Sequence, residues 1–570
     1  MPAVVVVLFV AVAFVLGYRF YSPYLAKKVY ALEESFITPA HEFRDGIDFV
    51  PTNKHVLFGH HFTSVAGAAP IVGPAIAVVW GWGPALAWVV LGTIFASGAH
   101  DFGSIVVSVR NKAQNIGTLT QTVINPRSRT LFLLIIVFLL TLVNAVFAIV
   151  IANLLMANPS VVIPIVLQIP IAIAVGQLIY RKRTAALMPT IVGVVVLYAS
   201  IPVGRAFPIQ IDGLAELVGV QPRTAWVVLL FLYAGVASRI PVWVLLQPRD
   251  YINSHQLLIA LAAIFLGVLI GMDEIVAPVF NRDLPADTPN WFPFLFVTIA
   301  CGAISGFHSL VASGTTSKQL DKETDARYVG YMGSLGEGSL AVGAILATTA
   351  GIAIVGLDWN TQYATYGDAA GGAVGNFVQG VAGFVSNFGI PVELGAIFAS
   401  LVVISFAATT MDSGVRLQRY IFQEIGEIVG MRWMKENLNL VTVLAVLVPL
   451  LLALDAELAF GRLWVLFGTT NQLTAGLALS VVAVWVLTKG RNPLAQIIPL
   501  AFLLTMTTWA LFLQLGNLWE ARDWLLLVID AIIFVLAVWL VIEAVTALRR
   551  AQAMKAKAPA PEPDHSGDLT

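Results

Sequence analysis

Long apolar runs separated by short polar segments occupy the chain from its first residues to about residue 548. Runs of about 18 to 25 apolar residues are long enough to cross a hydrocarbon core of roughly 30 Å as helices. The pattern therefore predicts an all-α polytopic membrane protein with about fifteen transmembrane helices. The predicted spans lie near 3–20, 60–80, 84–108, 130–154, 160–180, 186–203, 224–246, 255–273, 293–313, 334–354, 391–413, 438–455, 463–487, 495–516 and 523–548.

The composition agrees with this pattern. Hydrophobic residues make up 58% of the chain and charged residues 11%, and the mean hydropathy is +0.85. This is too little charge to cover a soluble protein of this length, and no nucleic-acid partner is expected. Most of the 32 Lys and Arg residues fall in alternate connections, including "RKR" at 181–183 and the "RR" at 549. The positive-inside rule then predicts an N-terminus outside and a C-terminus in the cytoplasm.

One predicted span is interrupted by helix-breaking residues. The segment "FGHHFTSVAGAAPIVGP", Phe58 to Pro74, combines two adjacent histidines with glycines and prolines. Irregular backbone at membrane depth must face protein or a water-filled cavity, and transporters often bind ions and substrates there. His60, His61, Ser64 and Gly67 are therefore candidate binding residues. Close helix packing is the alternative explanation for the glycines.

A second segment places hydroxyl groups in register. In "CGAISGFHSLVASGTT", Ser305, Ser309 and Ser313 recur every four residues, and His308 lies on nearly the same side of a helix. Such a stripe could form an ion or proton site. It could equally serve as interhelical hydrogen bonding, a common role of serine in membranes.

Charged residues inside apolar runs are further candidates, because a charge at the bilayer centre costs roughly 2.5–3.5 kcal/mol on insertion scales. Asp101, Glu337 and Asp412 are candidates for coupling or ion pairing. Glu337 and Asp412 could instead be interfacial partners of nearby basic residues. Arg239 is predicted to be deep, and to bind either a buried carboxylate such as Asp101 or the carboxylate of a substrate. His100, next to Asp101, could form a proton relay with it or a simple local hydrogen bond.

Several motifs resemble the carbon starvation protein (CstA) family of bacterial membrane transporters. They are "FGHHFTSVAGAAPIVGPAIA", "WVLLQPRDYIN", "PFLFVTIACGAISGFHSLVASGTTSKQLDKETDAR", "TTMDSGVRLQRYIFQE" and "LWVLFGTTNQL". The resemblance implies a LeuT-type inverted-repeat core with broken helices. Here 60–80 would be the first core helix, 224–246 its inverted counterpart, and 293–313 the eighth helix. In that fold the first and eighth helices often form a cation site.

The resemblance implies an inner-membrane importer of short peptides or pyruvate, driven by protons or sodium ions and not an enzyme. No Walker-type motif for ATP occurs, and no cofactor is expected beyond the coupling ion. Two alternatives stay open. The Gly-rich stretch 355–390, in which 371–388 could be a re-entrant hairpin, could line a channel. A metal could be held by His60, His61 and His308.

The predicted organisation has four parts: an N-terminal helix and cytoplasmic loop (1–58), a core of two inverted five-helix repeats (59–413), further transmembrane helices (414–548) and a disordered cytoplasmic tail (549–570). The sequence leaves the substrate, the coupling ion and the oligomeric state open.

Overall fold

The computed structural model describes residues 1–46, 48–181, 185–241, 243–455 and 460–557, and the regular secondary structure in these ranges is helical. The principal helices are α1 (Ala3–Val29), α2 (Lys54–Val65), α3 (Ala69–Trp80), α4 (Trp82–Arg110), α5 (Pro126–Ala157), α6 (Pro159–Ile179), α7 (Leu187–Ala206), α8 (Asp212–Val218), α9 (Pro222–Ala237), α10 (Leu246–Gly271), α11 (Trp291–Thr298), α12 (Phe307–Val311, continued to Ser317–Gln319), α13 (Arg327–Ile354), α14 (Tyr366–Ser386), α15 (Val392–Ile428), α16 (Leu438–Leu454), α17 (Phe460–Thr488), α18 (Leu494–Glu520) and α19 (Trp524–Lys557).

The polytopic helical fold is confirmed. Within the described residues, eleven helices are long and apolar enough to cross a membrane. Two bent pairs, α2 with α3 at 51° and α8 with α9 at 90°, raise the number to 13. The predicted span 293–313 is interrupted between α11 and α12, and the predicted span 438–455 is the 17-residue helix α16. The count of fifteen therefore stays a prediction.

Three local predictions differ from the structure. The span 224–246 is wrong, because α9 ends at Ala237 and α10 begins only at Leu246. The re-entrant hairpin at 371–388 is wrong, because α14 is one continuous helix of 21 residues. The tail prediction for 549–570 is wrong up to Lys557, where α19 ends, and residues 558–570 lie outside the described residues. The predicted inner loop at 181–183 also falls largely outside them.

The core packs as two sets of helices with matching neighbours. The first set is α2/α3, α4, α5, α9 and α10; the second is α11/α12, α13, α15, α16 and α17. The most extensive contact in the described structure joins α5 to α15, the third member of each set. α9 packs on α5 and α15, and so does its counterpart α16; α10 packs on α15 as α17 packs on α5. The packing thus makes the α11–α12 segment, rather than 224–246, the counterpart of the first broken helix.

The two broken helices meet through their backbones. The first break lies between Val65 and Ala69, where Gly67 faces Thr410 of α15. Gly73 of α3 lies directly against the carbonyl group of Thr298, so that a Cβ atom at position 73 would collide with that oxygen. This close approach requires glycine. It holds α3 against the start of the second break, between Thr298 and Phe307.

Candidate ion and substrate site

Asp101 is the centre of a buried polar cluster. Its carboxylate, on α4, is fully buried and accepts hydrogen bonds from Ser97 at 3.2 Å and Ser334 at 2.7 Å. His100 Nδ1 lies 2.7 Å from Asp101 Oδ1, and His308 Nδ1 lies 2.8 Å from Asp101 Oδ2. A charge at this depth needs such partners, because water is excluded. The His100–Asp101 contact expected from the sequence is present, together with three further contacts to the carboxylate.

His308 joins this cluster to a second carboxylate. It lies in the first turn of α12, with Nδ1 toward Asp101 and Nε2 3.1 Å from Glu337 Oε2 on α13. A neutral imidazole carries only one ring hydrogen. The contact of Nδ1 with Asp101 is a hydrogen bond, whereas Nε2 is within ion-pair distance of Glu337 without an aligned hydrogen bond. His308 therefore attracts both carboxylates only when it is an imidazolium ion. The trio can hold a proton in more than one place.

Glu337 is not the interfacial residue that the sequence allowed. It is 1% exposed, its charged neighbour is His308 rather than a loop Lys or Arg, and its Oε1 atom has no hydrogen-bond partner. The sequence marked Asp101, His308 and Glu337 as separate candidates. The structure brings them together because α12 packs between α4 and α13.

His61 lies beside this cluster, whereas His60 takes no part in it. His61 is fully buried, its Nδ1 lies 2.8 Å from Thr316 Oγ1 on α12, and its ring lies against Gly333, the neighbour of Ser334 on α13. Nε2 of His61 has no hydrogen-bond partner. His61 therefore contacts α12 and α13, which carry His308 and Glu337.

At the first break the backbone faces neighbouring helices, and the nearby Ser64 hydroxyl group is already hydrogen-bonded. Ser64 donates to the carbonyl of His60, one turn earlier in α2, at 2.8 Å. Gly67 lies against Thr410 and Phe147, so the unwound residues face α15 and α5. Gly67 thus lies where α2/α3 meets α5 and α15, while the Ser64 hydroxyl is hydrogen-bonded to the backbone of its own helix, α2.

The predicted serine stripe does not form on one helical face. Ser305 lies in the second break, before α12 begins, and donates to Asn471 Oδ1 at 3.2 Å. Ser309 donates to the carbonyl of Gly306 at 2.7 Å, and Ser313 to that of Ser309 at 2.6 Å. These hydroxyls satisfy nearby backbone and helix contacts, which is the packing alternative.

The structure also moves the deep arginine. Arg239 lies in the exposed connection between α9 and α10 and donates to Asn439 Oδ1 at 2.8 Å, so its prediction as a deep cation near Asp101 is wrong. Arg249, 2% exposed in α10, is the buried cation, and it forms an ion pair at 2.7 Å with Asp412. Asp412 is fully buried within α15 rather than at the end of a span.

A hydrogen-bond network surrounds this pair. The Tyr233 hydroxyl donates to Asp412 at 3.0 Å and accepts from Arg249, and Arg249 Nε donates to Thr409 at 3.0 Å. Asn253 donates to the same Thr409 hydroxyl at 2.7 Å. Sequence reasoning missed Arg249 because "QPRDY" is polar enough to resemble a connection. The signal that could have found it is the lack of any Gly or Pro between Arg249 and the apolar run from Leu257, which allows one helix to include both.

A cavity of about 190 Å³ lies against this network. Its walls are apolar side chains of α5, α6, α9 and α15, and its polar lining comes from Gln168, Tyr233 and Arg249. Gln168 Nε2 donates to Asn253 at 2.7 Å, which ties one end of the cavity to the network. Small-molecule sites commonly have this combination of apolar walls and a few convergent polar groups.

The histidines do not form a metal centre in the described part of the chain. His308 faces Asp101 and Glu337, and His61 faces Thr316. Among the described residues, no group of three or more His, Cys, Asp or Glu side chains is placed to hold a metal ion.

The profile of the family described as "Carbon starvation protein CstA" matches residues 2–357 and 358–510 of the chain. The chain belongs to the CstA family. Segments by which its sequence resembles the CstA family carry His61, Arg249, His308 and Asp412, so each buried network contains residues from them.

Curated members of the CstA family are similar along most of the chain. "Peptide transporter CstA" of Bacillus subtilis is 31% identical and covers 96% of this chain and 97% of its own length. "Pyruvate/proton symporter BtsT" of Escherichia coli is 35% identical over 59% of this chain and 47% of its own length. The chain is accordingly a membrane transporter and not an enzyme.

Two solved transporter structures align with most of this chain. The Eremococcus coleocola manganese transporter covers 89% of this chain and 99% of its own, with 12% identity and a TM-score of 0.49. MhsT in complex with L-phenylalanine covers 85% and 99%, with 13% identity and a TM-score of 0.49.

Proposed function

We propose that this protein is a proton-driven importer of small carboxylate nutrients, short peptides or pyruvate, in the bacterial inner membrane. The observation that carries the proposal is the buried Asp101–His308–Glu337 trio. Its groups exchange protons, and it lies where the second broken helix meets two other core helices. The names of the relatives, a peptide transporter and a pyruvate/proton symporter, support the same substrate classes and the proton.

The geometry favours a proton over a sodium ion. The space between the two carboxylates is occupied by the imidazole of His308. Hydroxyl oxygens suit a hard cation such as sodium, but the Ser313 oxygen already accepts a hydrogen bond from the Ile116 amide at 2.9 Å, and the Ser305 hydroxyl bonds Asn471. Moving a proton between His308 and Glu337 needs only a change of hydrogen bonds within the trio. We therefore propose H⁺ as the coupling ion.

Alternating access follows from the paired sets of helices. Counting α11–α12 and α16 as crossings and α14 as none, six spans lie between α2/α3, α4 or α5 and its counterpart, and four lie between α9 or α10 and its counterpart. Because an even number of spans lies between them, counterparts run in opposite directions. This is the inverted repeat of many secondary transporters. We assign the repeats to about 54–271 and 291–488, with the N-terminus outside and the C-terminus in the cytoplasm.

Protonation would change the contact between the two repeats. Asp101 belongs to the first repeat, and His308 and Glu337 belong to the second. When Glu337 is ionised, His308 is drawn to both carboxylates and holds the repeats together. When Glu337 is protonated, one of these attractions weakens, and α12 and α13 can move relative to α4. The proton is released once the site faces the cytoplasm.

The experiment uses purified protein in liposomes with labelled pyruvate and labelled dialanine. An inward proton gradient should drive accumulation above the outside concentration, and a protonophore should abolish it. The variant His308→Gln should lose this accumulation, while His41→Gln, at an exposed contact with Asp321, should retain it. Accumulation driven only by a sodium gradient, or simple equilibration, would contradict the proposal.

A further inference from the structure

Arg249 is a buried cation that the proton chemistry above does not use. Its guanidinium contacts Asp412, Tyr233 and the hydroxyl of Thr409, all within the protein interior. Guanidinium groups recognise carboxylates in a planar, two-pronged geometry that lysine cannot reproduce. A buried arginine at membrane depth is by itself a pointer to a functional site.

This cation lies next to the first broken helix. Thr409 accepts from Arg249, and the following residue, Thr410, faces Gly67 in the unwound segment. Asp412 lies two residues further along the same helix. A displacement of the break would therefore be felt at the ion pair through less than one turn of α15.

The adjoining cavity limits what can bind to Arg249. A cavity of about 150 Å³ holds benzene, which has six heavy atoms. The cavity here, about 190 Å³, is partly open beside the exposed side chains of Val166 and Leu229, and it has room for a molecule of roughly six or seven heavy atoms. Pyruvate has six heavy atoms and dialanine has eleven. The apolar walls suit a methyl group, and Arg249, Tyr233 and Gln168 provide the polar end.

We infer that Arg249 is the carboxylate-binding residue of the transporter, and that its cavity selects small monocarboxylates over dipeptides. This inference rests on the proposed function. Asp412 pairs with Arg249 in the absence of substrate, and the substrate carboxylate replaces Asp412 as the partner of Arg249. Tyr233, which already contacts both members of the pair, remains beside the displaced Asp412.

Charge balance then ties binding to a proton. The Arg249–Asp412 pair is neutral, so a second carboxylate would leave an uncompensated negative charge in the interior, which is strongly unfavourable. One proton bound to Asp412 removes this charge. The groups that face Asp412 are Arg249 and Tyr233, and Asp250 and Arg416 lie within electrostatic range. The Asp250 carboxylate makes a second anion there less favourable still.

The decisive experiment measures exchange of labelled pyruvate across liposomes with equal pH on both sides, so that no gradient is needed. Arg249→Lys should raise the KM for pyruvate at least tenfold. Because a single change leaves a charge unpaired, the double variant R249Q/D412N is made as well, and it should retain a cooperative unfolding transition while losing saturable pyruvate exchange. Arg239→Lys is the matched control, since Arg239 is exposed, and its KM should stay at the wild-type value.

Two further variants test the remaining parts of the inference. Asp412→Asn should retain pyruvate exchange but lose its dependence on pH. Ala408→Leu, in the cavity wall, should raise the KM for pyruvate more than that for the smaller acetate. A wild-type KM in R249K and R249Q/D412N, an unchanged pH dependence in D412N, or equal exchange of dialanine and pyruvate would each overturn the inference. Proton-driven accumulation by the wild type would still stand in those cases, whereas its absence would remove the proposed function itself.

Discussion

Nε2 of His308 lies 3.1 Å from Oε2 of Glu337, and the opposite nitrogen of the same ring lies 2.8 Å from Asp101. One imidazole thus bridges carboxylates from both sets of core helices. Because all three side chains are excluded from solvent, a change in the protonation of one alters the interaction energy of the other two. Four predictions on this cluster and its supports follow from the contacts.

Glu337→Gln should separate coupling from exchange. The amide preserves the shape of the side chain but cannot bind and release a proton near neutral pH. We expect proton-driven accumulation to fall to equilibration, while exchange of labelled pyruvate at equal pH continues. The control is Glu393→Gln, because Glu393 is exposed at the start of α15 and pairs with Arg205. Normal accumulation in Glu337→Gln would remove this carboxylate from the coupling step.

Ser334→Ala and Ser309→Ala should differ, although both are buried serines. Ser334 donates to Asp101, and hydrogen bonds to charged groups contribute about 1.5–3 kcal/mol. Ser309 donates to a carbonyl on its own helix. We expect Ser334→Ala to lower proton-driven uptake several-fold and Ser309→Ala to leave it nearly unchanged. Equal effects of the two substitutions on initial uptake rates would argue against the distinction.

His61→Ala should abolish uptake while His60→Ala should retain most of it. His61 fills a buried position between Thr316 and Gly333, and its removal leaves a cavity beside Ser334. His60 is only half-buried. Uptake of labelled pyruvate, normalised to the amount of folded protein by size-exclusion chromatography, measures the difference. Wild-type uptake in His61→Ala would exclude this side chain from the site.

Gly73→Ala should destabilise the protein, because the added methyl group collides with the carbonyl of Thr298, a backbone atom that cannot rotate away. We expect a loss of about 1–3 kcal/mol in the free energy of unfolding, typical of overpacking. Thermal unfolding in detergent provides the measurement. Gly371→Ala is the control, since a Cβ atom there meets nothing within 4 Å. An unchanged Tm in Gly73→Ala would mean that the two breaks can separate at little cost.

The sequence was sufficient to find Asp101 and Glu337 as charged side chains in apolar runs, and His308 from its place beside the regularly spaced serines. It could not show that they contact each other, because their proximity depends on how α4, α12 and α13 pack. Arg239 and Arg249 show the same limit. Each arginine lies within two residues of a proline near the end of an apolar run. Only Arg249 can be buried, because Asp412 on α15 forms an ion pair with it.

The predicted serine stripe is absent from the structure for a related reason. Spacing every four residues places side chains on one face only if the helix is continuous, and the helix begins after Ser305. Gly73 and Thr298 are far apart in sequence, so the sequence gives no indication that one break packs on the other.

The contact between Gly73 and Thr298 has a mechanical consequence. Two segments that touch backbone to backbone have no side chain between them that can deform. A displacement of one segment is therefore passed to the other almost unchanged. A tilt of α3 would therefore swing the second break by a comparable amount. His308, a few residues beyond that break, would move with it. The distance from His308 to Asp101 then serves as a measure of how far α3 has turned.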